Sequence, residues 1–428
     1  MPIKYRSIAG TKDILPPAVS LWRKIEAEAR DLFCTFNYRE IRTPVIEHTE
    51  LFVRSVGKDT DIVEKEMYTF TDRDEKSVSL RPEATAGAIR AYLQNGLYAV
   101  QSLWKLYYIG PMFRRERPQQ GRLRQFHQIG AELIGSYLPS ADCETIIWVL
   151  EYFRRLGVGD TVLNINSAGC PKCKPDYIMR LREELKPNIG KMCLDCQRRY
   201  KKNIFRMLDC KQPGCRVIID RLPVITDYLC SECSDHFNKL RQLLDTEGID
   251  YKLNPHLVRG LDYYNRTVYE FNHRELGSQD AIAAGGRYDI LVKHLMGPVT
   301  GAVGFSIGVE RLIMVMEKVS KASVPTRGLD VYLISLDEES FQLNFTLINE
   351  LRRNNISADI DYEQKSLKAQ MRSANKQRAV LVILRGGDEI KKGVVTLKDM
   401  STGEEQKVPV GDIEKKLKKI LAAKHKQG

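Results

Sequence analysis

The 428-residue sequence contains no hydrophobic run long enough to cross a bilayer. Its longest apolar stretches, such as residues 379–384, fall far short of the roughly 18 residues that a membrane helix needs. The first residues also lack the continuous apolar segment and small-residue cleavage site of a secretory signal. We therefore expect a cytoplasmic protein without membrane spans.

Two common nucleotide-binding loops are also missing. The sequence has neither a G-x-x-x-x-G-K-[ST] phosphate loop nor a G-x-G-x-x-G turn between a strand and a helix. Any nucleotide must therefore be bound by charged side chains rather than by a glycine-rich backbone cradle.

Cysteine is scarce outside one short stretch. Eight of the ten cysteines lie between Cys170 and Cys233, which is too clustered for a general disulfide framework. The spacing Cys-x2-Cys-x19-Cys-x2-Cys predicts a structural four-thiolate zinc site, formed by Cys170, Cys173, Cys193 and Cys196. A second candidate set contains Cys210, Cys215, Cys230 and Cys233. Free thiols in a reducing compartment are the alternative interpretation.

Charge and length indicate a multidomain protein with a polyanionic partner. Lys and Arg number 67 against 55 Asp and Glu, a formal net charge of +12, which favours nucleic acid. We predict a first domain at 1–325, interrupted by a basic, cysteine-rich insertion at 168–240, and a final domain at 328–428 after a linker at 322–328. In the final domain, strands alternate with amphipathic helices, which predicts an α/β unit.

Residues 103–133 are typical of two antiparallel strands joined by a long basic loop. Arg114, at the end of the first strand, can bind a phosphate bidentately, and Glu116 can accept from an adenine amino group or help to bind Mg²⁺. An ion-paired surface hairpin is the alternative. In the second strand, Gln128 points where an apolar residue is expected. It requires a partner there, either a bound ligand or buried water.

Two segments carry further candidate residues. Glu83 lies at the predicted start of a helix, where it either stabilises the helix N-terminus or, with Thr85, binds an ammonium group. Arg259 follows a valine and precedes a glycine, so its guanidinium can approach a carboxylate and a phosphate. The adjacent Tyr263 and Tyr264 also fit an ordinary hydrophobic core.

Two glycine-rich segments complete the set. Residues 284–289 place two glycines where the backbone approaches another group closely or makes a tight turn. Residues 301–308 predict a glycine-rich strand that runs into a helix from which Arg311 projects. An adenine or a phosphate could lie under that guanidinium.

The order and content of these segments resemble the class II aminoacyl-tRNA synthetases and, among them, the histidyl-tRNA synthetase family. Motif 1 is similar to the helix after residue 19 with Ile41-Arg42-Thr43-Pro44, motif 2 to residues 113–132, and motif 3 to residues 304–311. Residues 257–270 and 284–289 are similar to the two histidine-specific signatures. The resemblance covers nearly the whole chain.

The resemblance implies an α+β fold. It implies a class II catalytic domain with a six-stranded antiparallel sheet and a cysteine-rich insertion, a C-terminal α/β anticodon-binding domain, and a homodimer formed through motif 1. The implied enzyme is a histidine–tRNA ligase that uses ATP with Mg²⁺ to form histidyl-adenylate and pyrophosphate, then transfers histidine to the 3′ end of tRNA(His).

The resemblance also implies residue roles. Histidine binding is implied for Glu83, Thr85, Gln128, Glu132, Arg259, Tyr263, Tyr264 and Tyr288. ATP binding is implied for Arg114, Glu116 and Arg311, and catalysis for Arg259, Arg114 and Arg311. The residues implied to meet the tRNA acceptor end are Gln119, Arg122 and Arg124.

Two rival functions were weighed against the ligase. One is the synthetase-like regulatory subunit of ATP phosphoribosyltransferase, which binds histidine without catalysis; Arg259, Tyr264 and the final domain argue against it. The other is a zinc-containing RNA-binding module with an inactive core, against which Arg114 and Arg311 argue.

Overall fold

The structure is a computed structural model that describes residues 5–319 and 328–425. The chain divides into two units, Met1–Val324 and Pro325–Gly428. Apart from Gly328, the predicted linker at 322–328 lies outside the described residues. Among the described residues, no helix is both long and apolar enough to span a membrane.

The first unit is built on an antiparallel sheet. Its strands are β1 Arg39–Glu40, β2 Ile46–His48, β3 Tyr68–Thr71, β4 Ser77–Leu80, β5 Trp104–Phe113, β6 Gln125–Ile134, β7 Val162–Ser167, β8 Lys252–Leu253, β9 Asn265–Asn272, β10 Ala281–Arg287 and β11 Ala302–Gly308. The main sheet has the order β1-β5-β6-β11-β10-β9-β7-β8, and β2-β4-β3 form a separate small sheet. The central six strands are antiparallel, whereas β1 and β8 pair in parallel at the edges. The six antiparallel strands implied by the resemblance are therefore present, with two very short strands added.

Helices of the first unit pack against the sheet and within the insertion. They are α1 Ala18–Thr35, α2 Thr49–Val56, α3 Thr85–Gln94, α4 Leu97–Val100, α5 Pro139–Arg155, α6 Lys174–Leu185, α7 Leu194–Lys202, α8 Pro213–Ile219, α9 Ser231–Thr246, α10 Leu291–His294 and α11 Val309–Val319. The core contains buried side chains of α1, α5, α9 and α11 together with Ile129 and Ala131 of β6. Because side chains alternate across a strand, Gln128 and Glu132 point to the opposite face.

The predicted helix after residue 19 is observed as α1, with its buried face at the 3.6-residue spacing. Phe33 of this helix stacks on Trp148 of α5, with ring centroids 4.0 Å apart. Helices α1 and α5 therefore pack on the face of the sheet that carries Ile129 and Ala131. The cavity described below lies on the opposite face, which carries Gln128.

The cysteine-rich insertion has a hydrophobic core of its own. Helices α6, α7 and α8 and short 3₁₀ segments surround buried residues such as Tyr177, Met207 and Ile219. The predicted limit at residue 240 falls inside α9, whose Phe237 and Leu240 belong to the core of the main sheet instead. The packing changes before the sequence composition does, because α9 follows Cys230 and contains Cys233, yet already packs on the sheet at Phe237.

The second unit is an α/β domain. Its elements are β12 Val331–Ser335, α12 Glu338–Arg353, β13 Ala358–Ile360, α13 Leu367–Lys376, β14 Leu381–Arg385, α14 Gly387–Lys391, β15 Val394–Asp399, β16 Glu405–Pro409 and α15 Ile413–His425. The sheet order is β13-β12-β14-β15-β16. The apolar runs at 331–336, 356–360, 379–384 and 394–397 predict four strands, and β16 was missed because only Val408 in it is buried. This strand forms through pairing with β15 rather than through its own hydrophobicity.

Candidate active site

A cavity of about 1260 Å³ in the first unit brings most of the predicted residues together. Its walls include residues from β5, β6, β10, β11, the loop before β9 and the insertion. The predicted residues that line it are Glu83, Thr85, Arg114, Glu116, Arg122, Gln128, Arg259, Tyr263, Tyr264, Tyr288 and Arg311. The predicted residues that do not line it are Gln119, Arg124 and Glu132.

Gln128 has one hydrogen-bonding group without a partner. Its Nε2 donates to Oγ of Ser306 at 3.3 Å, while its buried Oε1 has no partner among the described residues. A buried acceptor without a partner carries a free-energy cost of about 1–3 kcal/mol. A ligand donor in the cavity would remove that cost.

Glu83 lies at the start of α3 and also lines the cavity. Its two carboxylate oxygens accept from the backbone N–H of Thr85 at 2.7 Å and of Ala86 at 3.0 Å, so it stabilises the start of α3. Burial raises the pKa of this carboxyl, although those hydrogen bonds oppose the shift. Each oxygen keeps a further acceptor site, and the residue lines the cavity. The helix-start interpretation is thus observed without removing the capacity to bind an ammonium group.

Glu132 lies beneath the cavity floor. Its carboxylate accepts from the hydroxyls of Tyr108, at 3.2 Å, and of Tyr288. Burial raises its pKa from 4.5 to about 8, while hydrogen bonds from Tyr288 and Thr85 oppose the shift. Gly304 lines the cavity above it, and a Cβ at that position would collide with the Glu132 carboxylate. The absence of a side chain at residue 304 therefore keeps this carboxyl close to the cavity.

Arg114, Arg259 and Arg311 are among the several arginines that line the cavity and give it positive charge. Arg114 donates to the carbonyl of Pro82 at 3.0 Å and stacks over Phe126. Arg311 donates to the carbonyls of Gly121 and Ala281 at 2.9 and 2.8 Å. Within the described part of the chain, neither guanidinium forms an ion pair with a carboxylate. Burial, with repulsion from other arginines, lowers the pKa of Arg311, and an anionic ligand would relieve both effects.

Arg259 is the third of these arginines. Its Nη1 donates to Oε1 of Glu270 at 3.2 Å, and its buried Nε has no partner in the part of the chain that is described. Tyr263 and Tyr264 pack together beside it with ring centroids 4.7 Å apart. Both rings belong to a hydrophobic cluster and also line the cavity. These tyrosines therefore pack in the hydrophobic core and also form part of the cavity wall.

The loop between β5 and β6 carries the residues expected to meet tRNA. Glu116 accepts from Nη1 of Arg122 at 3.0 Å, so both residues face the cavity as an ion pair. Gln119 is exposed, and its backbone pairs with that of Arg122. Arg124 donates to the carbonyl of Glu116 at 3.4 Å and lies away from the cavity. Of these residues, Gln119 has the side chain most available to a partner outside the cavity.

Several acids that line the cavity were not predicted as site residues, among them Glu310, Glu66 and Glu270. Glu310 accepts from the backbone N–H of His127 at 2.9 Å and contacts its Nδ1 at the same distance. Burial raises the pKa of Glu66, and Glu270 pairs with Arg259. Glu270 and Glu310 lie within segments that the sequence analysis singled out, but an acid in a strand or in a first helical turn carries no signal of its own.

Gly285 and Gly286 lie where the backbone approaches other groups closely, which was one of the two interpretations of this segment. A Cβ at Gly285 would collide with the hydroxyl of Tyr269 and the carbonyl of Gly304. The neighbouring Arg287 is completely buried and pairs with Asp142 and Asp289. Gly285, Gly286 and Arg287 of the segment at 284–289 therefore stabilise the fold. Tyr288 of the same segment lines the cavity and donates a hydrogen bond to Glu132.

The cysteines form two quartets, but not the quartets predicted from spacing. One contains Cys170, Cys173, Cys230 and Cys233, and the other contains Cys193, Cys196, Cys210 and Cys215. The prediction that Cys170 and Cys173 share a site with Cys193 and Cys196 is wrong. Spacing identifies the C-x2-C pairs, but the fold decides which pairs meet. Because the insertion leaves and rejoins the main domain at one place, its first and last pairs meet.

The fold and the site define a class II aminoacyl-tRNA synthetase, a ligase. Its sequence matches the family described as Histidyl-tRNA synthetase over residues 10–172 and 197–312. Residues 330–420 match the Anticodon binding domain family. The chain belongs to the histidyl-tRNA synthetase family.

Relatives and solved structures agree with that membership. The chain is 45% identical to a protein named Histidine--tRNA ligase from Desulforamulus reducens, over 94% of this chain and 96% of the relative. It is 46% identical to one of the same name from Syntrophotalea carbinolica, over 96% and 97%. The apo crystal structure of S. aureus histidyl-tRNA synthetase is similar with a TM-score of 0.82 and 34% identity, covering 97% of this chain and 100% of that one.

Proposed function

We propose that the chain is a histidine–tRNA ligase: it activates histidine with ATP, releases pyrophosphate, and transfers histidine to the 3′ end of tRNA(His). Its relatives over nearly the full length are named for this activity. The observation that carries the proposal is the unpartnered Oε1 of Gln128 in a cavity that Arg114, Arg259 and Arg311 also line. One end of the cavity suits an ammonium group, and the arginines suit phosphates and a carboxylate.

We propose that the α-amino group of histidine binds to Gln128, Glu83 and Thr85. All three are acceptors that line the cavity, and the ammonium group has three donors to offer. Tyr263, Tyr264 and Tyr288 would surround the side chain. Glu132, which accepts from the hydroxyls of Tyr108 and Tyr288, would select the imidazole. An imidazole N–H donor near this carboxyl favours the ionised form of the carboxyl. Selection by hydrogen bonds to a polar ring can reject analogues that lack them by on the order of 10⁴.

Catalysis then rests on positioning and charge neutralisation. The histidine carboxylate attacks the α-phosphorus of ATP, forms the acyl–phosphate bond, and displaces pyrophosphate with its electron pair. Two anionic groups approach one another in this step, so Arg259 would bridge the carboxylate and the α-phosphate while Arg114 and Arg311 hold the phosphates. The attacking group is already a carboxylate, so no general base is required. Glu116 would lie near the adenine, and Mg²⁺ bound with ATP would supply further charge neutralisation.

We also propose the macromolecular partners. Gln119, Arg122 and Arg124 would meet the acceptor end of tRNA(His), where phosphate contacts position the nucleic acid and Gln119 can read an edge. The second unit would bind the anticodon. A homodimer through motif 1 is supported by exposed apolar side chains near it, including Ile46 and Leu103.

The regulatory-subunit alternative receives support from fold alone. A structure titled ATP phosphoribosyltransferase regulatory subunit/histidyl-tRNA synthetase, from Bacillus halodurans, is 22% identical with a TM-score of 0.65. The decisive experiment is ATP–pyrophosphate exchange on the purified chain with each amino acid in turn, without tRNA. Exchange with histidine alone supports the ligase. A folded chain that binds histidine but exchanges with no amino acid would instead support the regulatory function.

A further inference from the structure

We propose that each cysteine quartet binds one Zn²⁺ as a structural site, independently of the ligase reaction. The first site contains Cys170, Cys173, Cys230 and Cys233, and the second contains Cys193, Cys196, Cys210 and Cys215. In both, the four sulfur atoms lie within 4.8 Å of one another. Four thiolates and no other ligand type favour zinc among the common biological metals.

The sulfur–sulfur distances agree with tetrahedral zinc. Sγ of Cys170 lies 3.6 Å from that of Cys173 and 3.8 Å from that of Cys230. In the second site, Sγ of Cys193 lies 3.9 Å from that of Cys210. A tetrahedron with Zn–S bonds of about 2.3 Å has edges of about 3.8 Å, whereas a disulfide bond is about 2.05 Å long. The quartets therefore have the spacing of a metal site and not of disulfides.

Backbone N–H groups donate to one sulfur atom in each quartet. The N–H of Cys230 donates to Sγ of Cys173 at 3.2 Å, and the N–H of Cys193 donates to Sγ of Cys215 at 3.3 Å. Hydrogen bonds to a ligating atom orient it and stabilise its charge. Both C-x2-C turns of the first site also have the same bond, from the second cysteine N–H to the first cysteine carbonyl.

The first site closes the insertion at its base. It joins the segment that enters the insertion, with Cys173, to the segment that leaves it, with Cys230. Lys174, directly after the site, donates from Nζ to the carbonyl of Tyr264 at 3.3 Å. A metal there would thus hold together the ends of the insertion and one wall of the active-site cavity.

The second site lies inside the insertion. Its cysteines belong to the hydrophobic core there, together with side chains such as Tyr177 and Met207. The helices around it are short, only 9 residues in α7 and 7 in α8. Small folded domains such as this insertion usually need disulfides or metals in addition to their hydrophobic core. All ten cysteines are free of disulfide bonds, so zinc is the stabilising link that remains.

The first test is the metal content of the full-length chain, purified without chelators. Elemental analysis should find two zinc ions per chain, and cobalt exchange should give the absorption spectrum of tetrahedral thiolate coordination. Neither measurement depends on a variant that folds poorly. No bound metal, or iron in place of zinc, overturns the proposal whatever the exchange assay shows.

Paired variants test the grouping. Cys170→Ser with Cys230→Ser removes two ligands from one site, so it should leave one zinc per chain. Cys170→Ser with Cys193→Ser affects both sites and should leave none. The matched control, Cys34→Ser with Cys143→Ser, changes cysteines outside both quartets and should keep two. If the first pair loses both metals and the second pair loses one, the grouping by spacing is right and the proposed ligand sets are wrong.

Discussion

Arg259 and Glu270 form an ion pair in the wall of the active-site cavity, with Nη1 3.2 Å from Oε1. The acid holds one edge of the guanidinium, while the buried Nε on the other edge has no partner among the described residues. Glu270 therefore orients a charge whose remaining donors stay available to a ligand. This arrangement supports the proposal that Arg259 meets negative charge on the substrates.

Replacing Arg259 with Met should abolish most adenylate formation. Removing one preorganised donor to a transition state typically reduces the rate by about 10²–10³. ATP–pyrophosphate exchange with histidine measures this loss. Arg274→Met is the matched control, because Arg274 is exposed and pairs with the surface acids Asp160 and Glu275, and it should keep the wild-type rate. A rate for Arg259→Met within a few-fold of wild type contradicts the assigned role.

Gln128→Leu should weaken histidine binding while changing stability little. The change removes a buried acceptor without a partner, which costs free energy in the unliganded chain, but it also removes the hydrogen bond from Nε2 to Ser306, so the two effects oppose each other. It also removes a hydrogen bond to a charged group, worth about 1.5–3 kcal/mol, so the Kd for histidine should rise by about 10- to 100-fold. Calorimetric titration with histidine and thermal unfolding give the two numbers. An unchanged Kd would remove Gln128 from the binding site.

The prediction from sequence was strongest where chemistry and periodicity coincide. Alternation in β6 separates Gln128 from Ile129 and Ala131, and the structure confirms that Gln128 lies on the opposite face of the sheet. The basic hairpin and the helix of motif 1 followed from patterns of similar strength. These features depend on the spacing of residues that are close together in the sequence, so the sequence alone can predict them.

Features that depend on tertiary contact were missed. Spacing grouped Cys170 with Cys193, whereas the fold groups Cys170 with Cys230, sixty residues away. Glu270 gained a role only through Arg259, and β16 formed only by pairing with β15. A partner across the fold leaves no periodic trace in the sequence, so no single-sequence pattern could have identified these contacts.

Glu132 should make the stability of the chain fall as pH rises toward 8. Burial raises its folded-state pKa from 4.5 to about 8, so the folded chain binds a proton that the unfolded chain has released. The stabilisation is complete below about pH 4.5, declines as pH rises between 4.5 and 8, and is absent above 8. Urea unfolding from pH 5 to 9 measures this slope. In Glu132→Gln, which cannot titrate, the slope should be smaller; equal slopes in both proteins would contradict the raised pKa.

Gly304→Ala should damage histidine binding and stability together. The added Cβ would collide with the carboxylate of Glu132 and with the carbonyl of Ala131, and overpacking of this kind typically costs about 1–3 kcal/mol. Gly159→Ala is the matched control, since a Cβ at Gly159 meets nothing within 4 Å. We expect a lower midpoint of urea unfolding and weaker histidine binding for Gly304→Ala alone. If Gly304→Ala also carries Glu132→Ala, removal of the carboxylate should recover part of the stability but not the binding, because space returns while the selecting group is lost. Recovery of binding in the double variant would mean that Glu132 acts only as packing.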